Sequence, residues 1–223
     1  MRYHKYTRRN LAGNRFFANL SITNWIILIN VIFFVAAYAA IRFNPGIMDY
    51  IGLKPANIFQ LKSLWTLITS MFMHGGLGHL VVNMISLAFI GNFVEKIIGR
   101  KRFFWFYMIA GIAAGLLFVL LAYVFQADMN VYAVGASGAI FGLGGLMMML
   151  TPKMPVLVFF IIPLPMWIAM LFLLVILWLA SWGFGLSIGN TAHLGGLLAG
   201  IIFGFYLKHK YKRKVEMLNR HFR

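Results

Sequence analysis

The sequence predicts an all-α membrane protein: a bundle of six transmembrane helices with a short fourth helix and a large first extracytoplasmic loop. Three observations carry that expectation. Hydrophobic residues make up 62% of the 223 and charged residues only 11%, against roughly 25% charged in soluble domains. The apolar residues fall in runs about as long as a bilayer is thick. The charges lie between those runs, and Lys and Arg are abundant in alternate gaps.

Residues 23–41 form an uncharged stretch of spanning length. No small-residue cleavage pattern follows it, so it reads as an anchor and not a removed signal peptide. Residues 42–66 carry Pro45, Gly46 and Pro55 with Arg42, Asp49, Lys54 and Lys62 and read as a sizeable loop. The second span is expected at about 77–94, before a charged turn with Glu95, Lys96, Arg100, Lys101 and Arg102. The third covers 103–125. The fourth, 135–150, is followed by Thr151-Pro152-Lys153. Pro163 and Pro165 then break the chain, since a straight helix interior would not accept them. The fifth span is placed at about 165–182 and the sixth at about 190–207, ahead of a basic tail. The expected organisation is a basic cytosolic segment over 1–22, a membrane domain over 23–207 and a basic cytosolic tail over 208–223.

Loop charges set the orientation. The gaps assigned to the cytosol hold 5, 4, 1 and 7 Lys and Arg, 17 of the chain's 20, and the remaining three are Arg42, Lys54 and Lys62. Both termini are therefore expected in the cytosol of a cell membrane, and composition suggests a prokaryotic one. A net charge of +16 would otherwise raise nucleic acid as a partner, but its clustering between apolar runs assigns it to topology. With no cysteine, disulfide and thiolate chemistry are excluded.

Polar residues inside spans are costly and call for an explanation. Counting ~1.5 Å per residue from the cytosolic charge that ends each helix, Ser137 lies ~24 Å deep, His193 ~22 Å, Asn83 ~20 Å and His79 ~26 Å. All four fall in one layer below the outer edge of a hydrocarbon core about 30 Å thick. Singly, each has a plainer reading: packing for Ser137, a proton relay or packing for the histidines, interhelical glue for Asn83. A metal site is disfavoured because His74 and His79 are five apart, not on one helical face, and no carboxylate lies at their depth. Glycines favour the joint reading. Gly138, Gly142 and Gly145 line one face of the fourth span, and His193, Gly196, Gly200 and Gly204 one face of the sixth, so the two backbones can approach closely.

A serine hydroxyl becomes a nucleophile when a neutral imidazole takes its proton. The resulting oxyanion needs donors, for which the Asn83 amide, His79 as a further candidate and the Ser137 backbone N–H are placed. The four acids, Asp49, Glu95, Asp128 and Glu216, all read as loop, turn or tail residues, so the hydrolase expected is a serine–histidine dyad. A short fourth helix would let the preceding loop dip inward and admit water.

Three segments carry a family resemblance: His74-Gly75-Gly76-Leu77-Gly78-His79-Leu80-Val81-Val82-Asn83, Gly135-Ala136-Ser137-Gly138, and Ala192-His193-Leu194-Gly195-Gly196-Leu197-Leu198-Ala199-Gly200. They resemble the signature motifs of rhomboid intramembrane serine proteases, in order and spacing, over about residues 60–207. The resemblance implies a six-transmembrane-helix rhomboid bundle with Ser137 as nucleophile, His193 as general base, and Asn83 and His79 in oxyanion stabilisation. No cofactor or metal is implied. The substrates would be transmembrane segments of membrane proteins, cut near their outer ends. Two positions depart from the family pattern: Trp65 is followed by Thr66 where many members have arginine, and Phe141 stands where many have tyrosine. The other classes considered are an inactive rhomboid-like protein that binds membrane clients, which typically lacks the serine or histidine, and a small transporter, which would not need Gly-Ala-Ser-Gly at that depth.

Overall fold

The structure is a computed structural model that describes residues 20–159, 161–184 and 189–222. Most of the expected 1–22 segment therefore lies outside the described residues. Helix α1 runs Ile22–Phe43. A long loop follows, holding the short helices α2 (Met48–Ile51), α3 (Pro55–Phe59) and α4 (Thr66–Thr69). The next rod, Leu77–Ile98, consists of α5 (Leu77–Ser86), a π-turn (Leu87–Gly91) and α6 (Asn92–Ile98). Then come α7 (Arg100–Val124), α8 (Ser137–Leu150), strands β1 (Pro155–Val158) and β2 (Ile162–Pro165), α9 (Met166–Phe184), α10 (Asn190–Lys210) and α11 (Lys212–Asn219).

Five of these are long and apolar enough to cross a membrane: α1, the α5–α6 rod, α7, α9 and α10. With its 14 residues, α8 is only ~21 Å long, shorter than the hydrocarbon core. It is enclosed instead, packed chiefly on α10 and α7, and most of its residues are buried. The outer helices turn large side chains such as Ile32, Val35, Ile109 and Ile202 outward, as lipid-facing surfaces require. The protein is membrane-embedded.

The structure corrects several boundaries. The turn expected after residue 94 is confined to Gly99, which takes φ +84, and the helix runs on to Ile98. Glu95 is consequently not a solvated turn residue. It is 6% exposed, and its carboxylate accepts from Ile22 N at 2.9 Å, Thr23 N at 2.8 Å and Thr23 Oγ1 at 2.8 Å. Those are orphan donors at the start of α1. One turn earlier, Asn92 accepts from the Ser21 hydroxyl at 2.8 Å. Gly135 and Ala136, expected to open the fourth span, precede α8.

The proline break is an antiparallel hairpin, with Val156 opposite Leu164 and Val158 opposite Ile162. Pro163 and Pro165 alternate with Leu164, so the N–H groups they lack fall on the side an edge strand leaves unpaired.

The first loop is tied down rather than loose. Leu53 and Ala133 exchange backbone hydrogen bonds at 3.1 and 2.8 Å, and Trp65 Nε1 donates to Tyr50 O at 2.8 Å. Thr66, at the position where the family often carries arginine, is buried and donates to Ser63 O at 2.7 Å. Tyr132 donates to Asp49 at 2.6 Å. That hydrogen bond, then one from Asn57, holds the Asp49 carboxyl below its usual range. Burial first, then the same bond, pushes Tyr132 up to about 12.

Candidate active site

The site forms where α8 and α10 cross at close range. A side-chain carbon on Gly196 would strike Gly138 O, one on Gly200 would strike Gly142 O, and one on Gly145 would strike Leu197 O. Only hydrogen fits at these three positions, so the helices meet backbone to backbone and two short side chains can touch across them. Ser137 opens α8, and His193 lies one turn into α10. His193 Nε2 is 2.8 Å from Ser137 Oγ.

One face of the imidazole is covered by Phe141, four residues after Ser137 on α8. The two rings stack at 4.5 Å between centroids with an interplanar angle of 11°. His193 is 6% exposed, and its Nδ1 is buried with no hydrogen-bond partner among the described residues. Among the described residues no carboxylate orients this ring; the Phe141 stack and the Ser137 contact hold it.

His79 and Asn83, one turn apart on α5, line the same cavity as Ser137 and His193, a space of about 790 Å³. Gly75 N donates to His79 Nδ1 at 3.3 Å. With Nδ1 accepting, the ring proton of a neutral imidazole is on Nε2. That nitrogen faces Gly135: a side-chain carbon there would fall 2.9 Å from His79 Nε2 and 3.6 Å from Ser137 Oγ. Gly135 also takes φ +122, so glycine is required on both counts. Asn83 Nδ2 donates one hydrogen to His79 O at 2.9 Å, leaving its second free for the cavity.

Two site residues escaped the sequence reading. His74, weighed there as a metal ligand and quoted in the first motif without a role, is fully buried. Its Nε2 accepts from Ala136 N at 3.4 Å, next to Ser137, and its ring meets His79 edge-on at 5.1 Å. Gly135 was assigned to a helix. The signal for both lay in the motifs themselves, five residues before His79 and two before Ser137. Among the described residues no three of His, Asp and Glu come together as a metal site would need.

Residues 61–210 match the family model of the rhomboid domain. The chain belongs to the rhomboid family. Among curated proteins, this rhomboid chain is 36% identical over 157 residues to RHOMBOID-like protein 5 of Arabidopsis thaliana, covering 70% of this chain and 48% of the relative. It is 32% identical over 155 residues to the mitochondrial Rhomboid protein 1 of Saccharomyces cerevisiae, covering 67% and 43%. To Rhomboid protease GluP of Bacillus subtilis it is 30% identical over 159 residues, covering 70% and 29%. The rhomboid chain thus spans less than half the length of each of these relatives.

Proposed function

We propose that this rhomboid is an intramembrane serine endopeptidase that cleaves transmembrane segments of membrane proteins with a Ser137–His193 dyad. The observation that carries the reading is the 2.8 Å approach of His193 Nε2 to Ser137 Oγ, within the reach that general-base activation needs. In the reaction, Ser137 Oγ attacks the scissile carbonyl as His193 takes its proton, then delivers it to the leaving amine. A water activated by the same imidazole releases the acyl enzyme. The oxyanion is held by the His79 Nε2–H, the free Asn83 amide hydrogen and the Ser137 N–H, which as a first-turn helical donor has no intrahelical partner.

Access is lateral. Val82, Ser86 and Ile90 from the α5–α6 rod and Met170, Leu173 and Leu177 from α9 form two flanks of the cavity, a gap through which an apolar helix can approach from the bilayer. The charge bias of the loops supports a cell membrane setting with both termini cytosolic and the basic segments 1–22 and 208–223 flanking a membrane domain over 23–207.

The test is covalent labelling of the purified chain by a fluorophosphonate probe. Modification at Ser137, lost in His193→Ala, is expected of the protease. Absence of labelling in a folded protein would favour a rhomboid-like client-binding protein instead.

A further inference from the structure

On the face of the bundle made by α7 and α10, a groove of about 670 Å³ runs from the basic helix ends toward the bilayer centre. Its floor is the stacked pair Phe106 and Phe203, 4.7 Å apart at 19°. Trp105 and Ile109 wall one side and Ile202 the other, and the small Ala199 lies at the end of the α10 lining farthest from the cations. Ile109 lies seven residues beyond Arg102, ~10 Å along α7, so the apolar channel has the length of the upper part of an acyl chain.

Its basic end gathers several cations around shared aromatic rings. Lys101 and Arg102 line the groove mouth. Arg102, Lys210 and Lys214 crowd around a single ring, that of Tyr211, at 5.6, 5.8 and 5.9 Å from its centroid. Arg102 also donates to the Tyr211 hydroxyl at 3.4 Å, and Lys210 to the Tyr206 hydroxyl at 2.8 Å. Among the described residues the ion pairs are Lys54–Asp49 and Arg100–Glu95, so none of these cations is matched by a carboxylate. Aromatic faces and phenol oxygens hold them together against their mutual repulsion, which an anion would relieve.

We propose that this groove binds one anionic phospholipid of the adjoining leaflet, its phosphate held by Lys101, Arg102 and Lys210 and one acyl chain lying over Phe106 and Phe203. Charge complementarity selects the headgroup, since juxtamembrane Lys and Arg attract anionic lipid, and the apolar channel demands the chain. The site is separate from the Ser137 cavity, and the proposal does not depend on catalysis.

Native mass spectrometry of the full chain, released from micelles containing phosphatidylglycerol and phosphatidylcholine with identical acyl chains, tests it. One phosphatidylglycerol should be retained in preference to phosphatidylcholine. Arg102→Gln and Lys210→Gln should each lower retention about fivefold. Ala199→Phe, which keeps every cation but fills the channel, should abolish it. Equal retention of the two lipids overturns the proposal. So does displacement by millimolar inorganic phosphate, which marks a plain anion site, or conversion of a dimer to a monomer by Ala199→Phe, which marks a second copy as occupant.

A second measurement reads the unaltered chain directly. Phosphatidylglycerol brominated on its acyl chains should quench the fluorescence of the unaltered chain more than brominated phosphatidylcholine does. The excess should vanish in Trp105→Phe, and an excess of zero in the unaltered chain contradicts the proposal.

Discussion

Ser137 and His193 are 56 positions apart in the chain and 2.8 Å apart in space, and their pairing was legible because depth in a membrane helix is counted in residues. What counting could not supply was the support around them. The φ of Gly135 and the seat of His74 against Ala136 N depend on how a loop folds over α5, and no helical period encodes that. Phe141 shows the balance between the two. The sequence places Phe141 four residues after the serine, one helical turn on, and the structure stacks its ring on His193 at 4.5 Å. Because this stack holds an imidazole whose Nδ1 has no hydrogen-bond partner among the described residues, Phe141→Tyr is expected to keep cleavage within about tenfold, a barrier change of about 1.4 kcal/mol. Phe141→Ala should lower it considerably more, and a full rate in the alanine variant would show that the ring does not position the base.

The apolar runs located every spanning helix to within a few residues, because a membrane span needs a length that turns and loops do not supply. The ends were less legible. Glu95 read as a turn residue because an acid between an apolar run and four basic residues usually is one, and only tertiary structure reveals its three donors on α1. Glu95→Ala strands those donors and should destabilise the protein by on the order of 1–3 kcal/mol, seen as a lower thermal midpoint in micelles. An unchanged midpoint would mean that the contact is replaced by water at the membrane edge. The α8–α10 crossing makes a sharper demand. Gly200→Val puts a branched side chain against Gly142 O and Leu146 N, and overpacking typically costs about 1–3 kcal/mol. It should also separate the dyad, so fluorophosphonate labelling of Ser137 is expected to fall even in the fraction that stays folded. Labelling at the original rate would contradict the backbone-to-backbone approach.

For the molecule as a whole, charge patterning expresses orientation. Cysteines placed at Asp128 and at Arg220 should react with an impermeant maleimide in intact cells only at 128, and reaction at 220 instead would invert the topology. The order of the spanning helices was readable from hydropathy. The docking of the first loop was not, because it rests on scattered pairs such as Leu53 with Ala133 and Tyr132 with Asp49. The four acids lie at the ends of the bundle or in its loops, leaving the imidazole to Phe141. Cleavage of a transmembrane substrate by the purified chain in liposomes puts that arrangement to its most direct test. Ser137→Ala and His193→Ala should each abolish cleavage, by up to about 10⁶ with the double variant little worse. Asn83→Ala should lose about 10²–10³, and the amide variants of Asp49, Glu95, Asp128 and Glu216 should keep nearly the full rate wherever they fold. Cleavage by Ser137→Ala at the unaltered rate would contradict the protease assignment, and loss of activity confined to one of the acid-to-amide variants would replace the dyad with a triad.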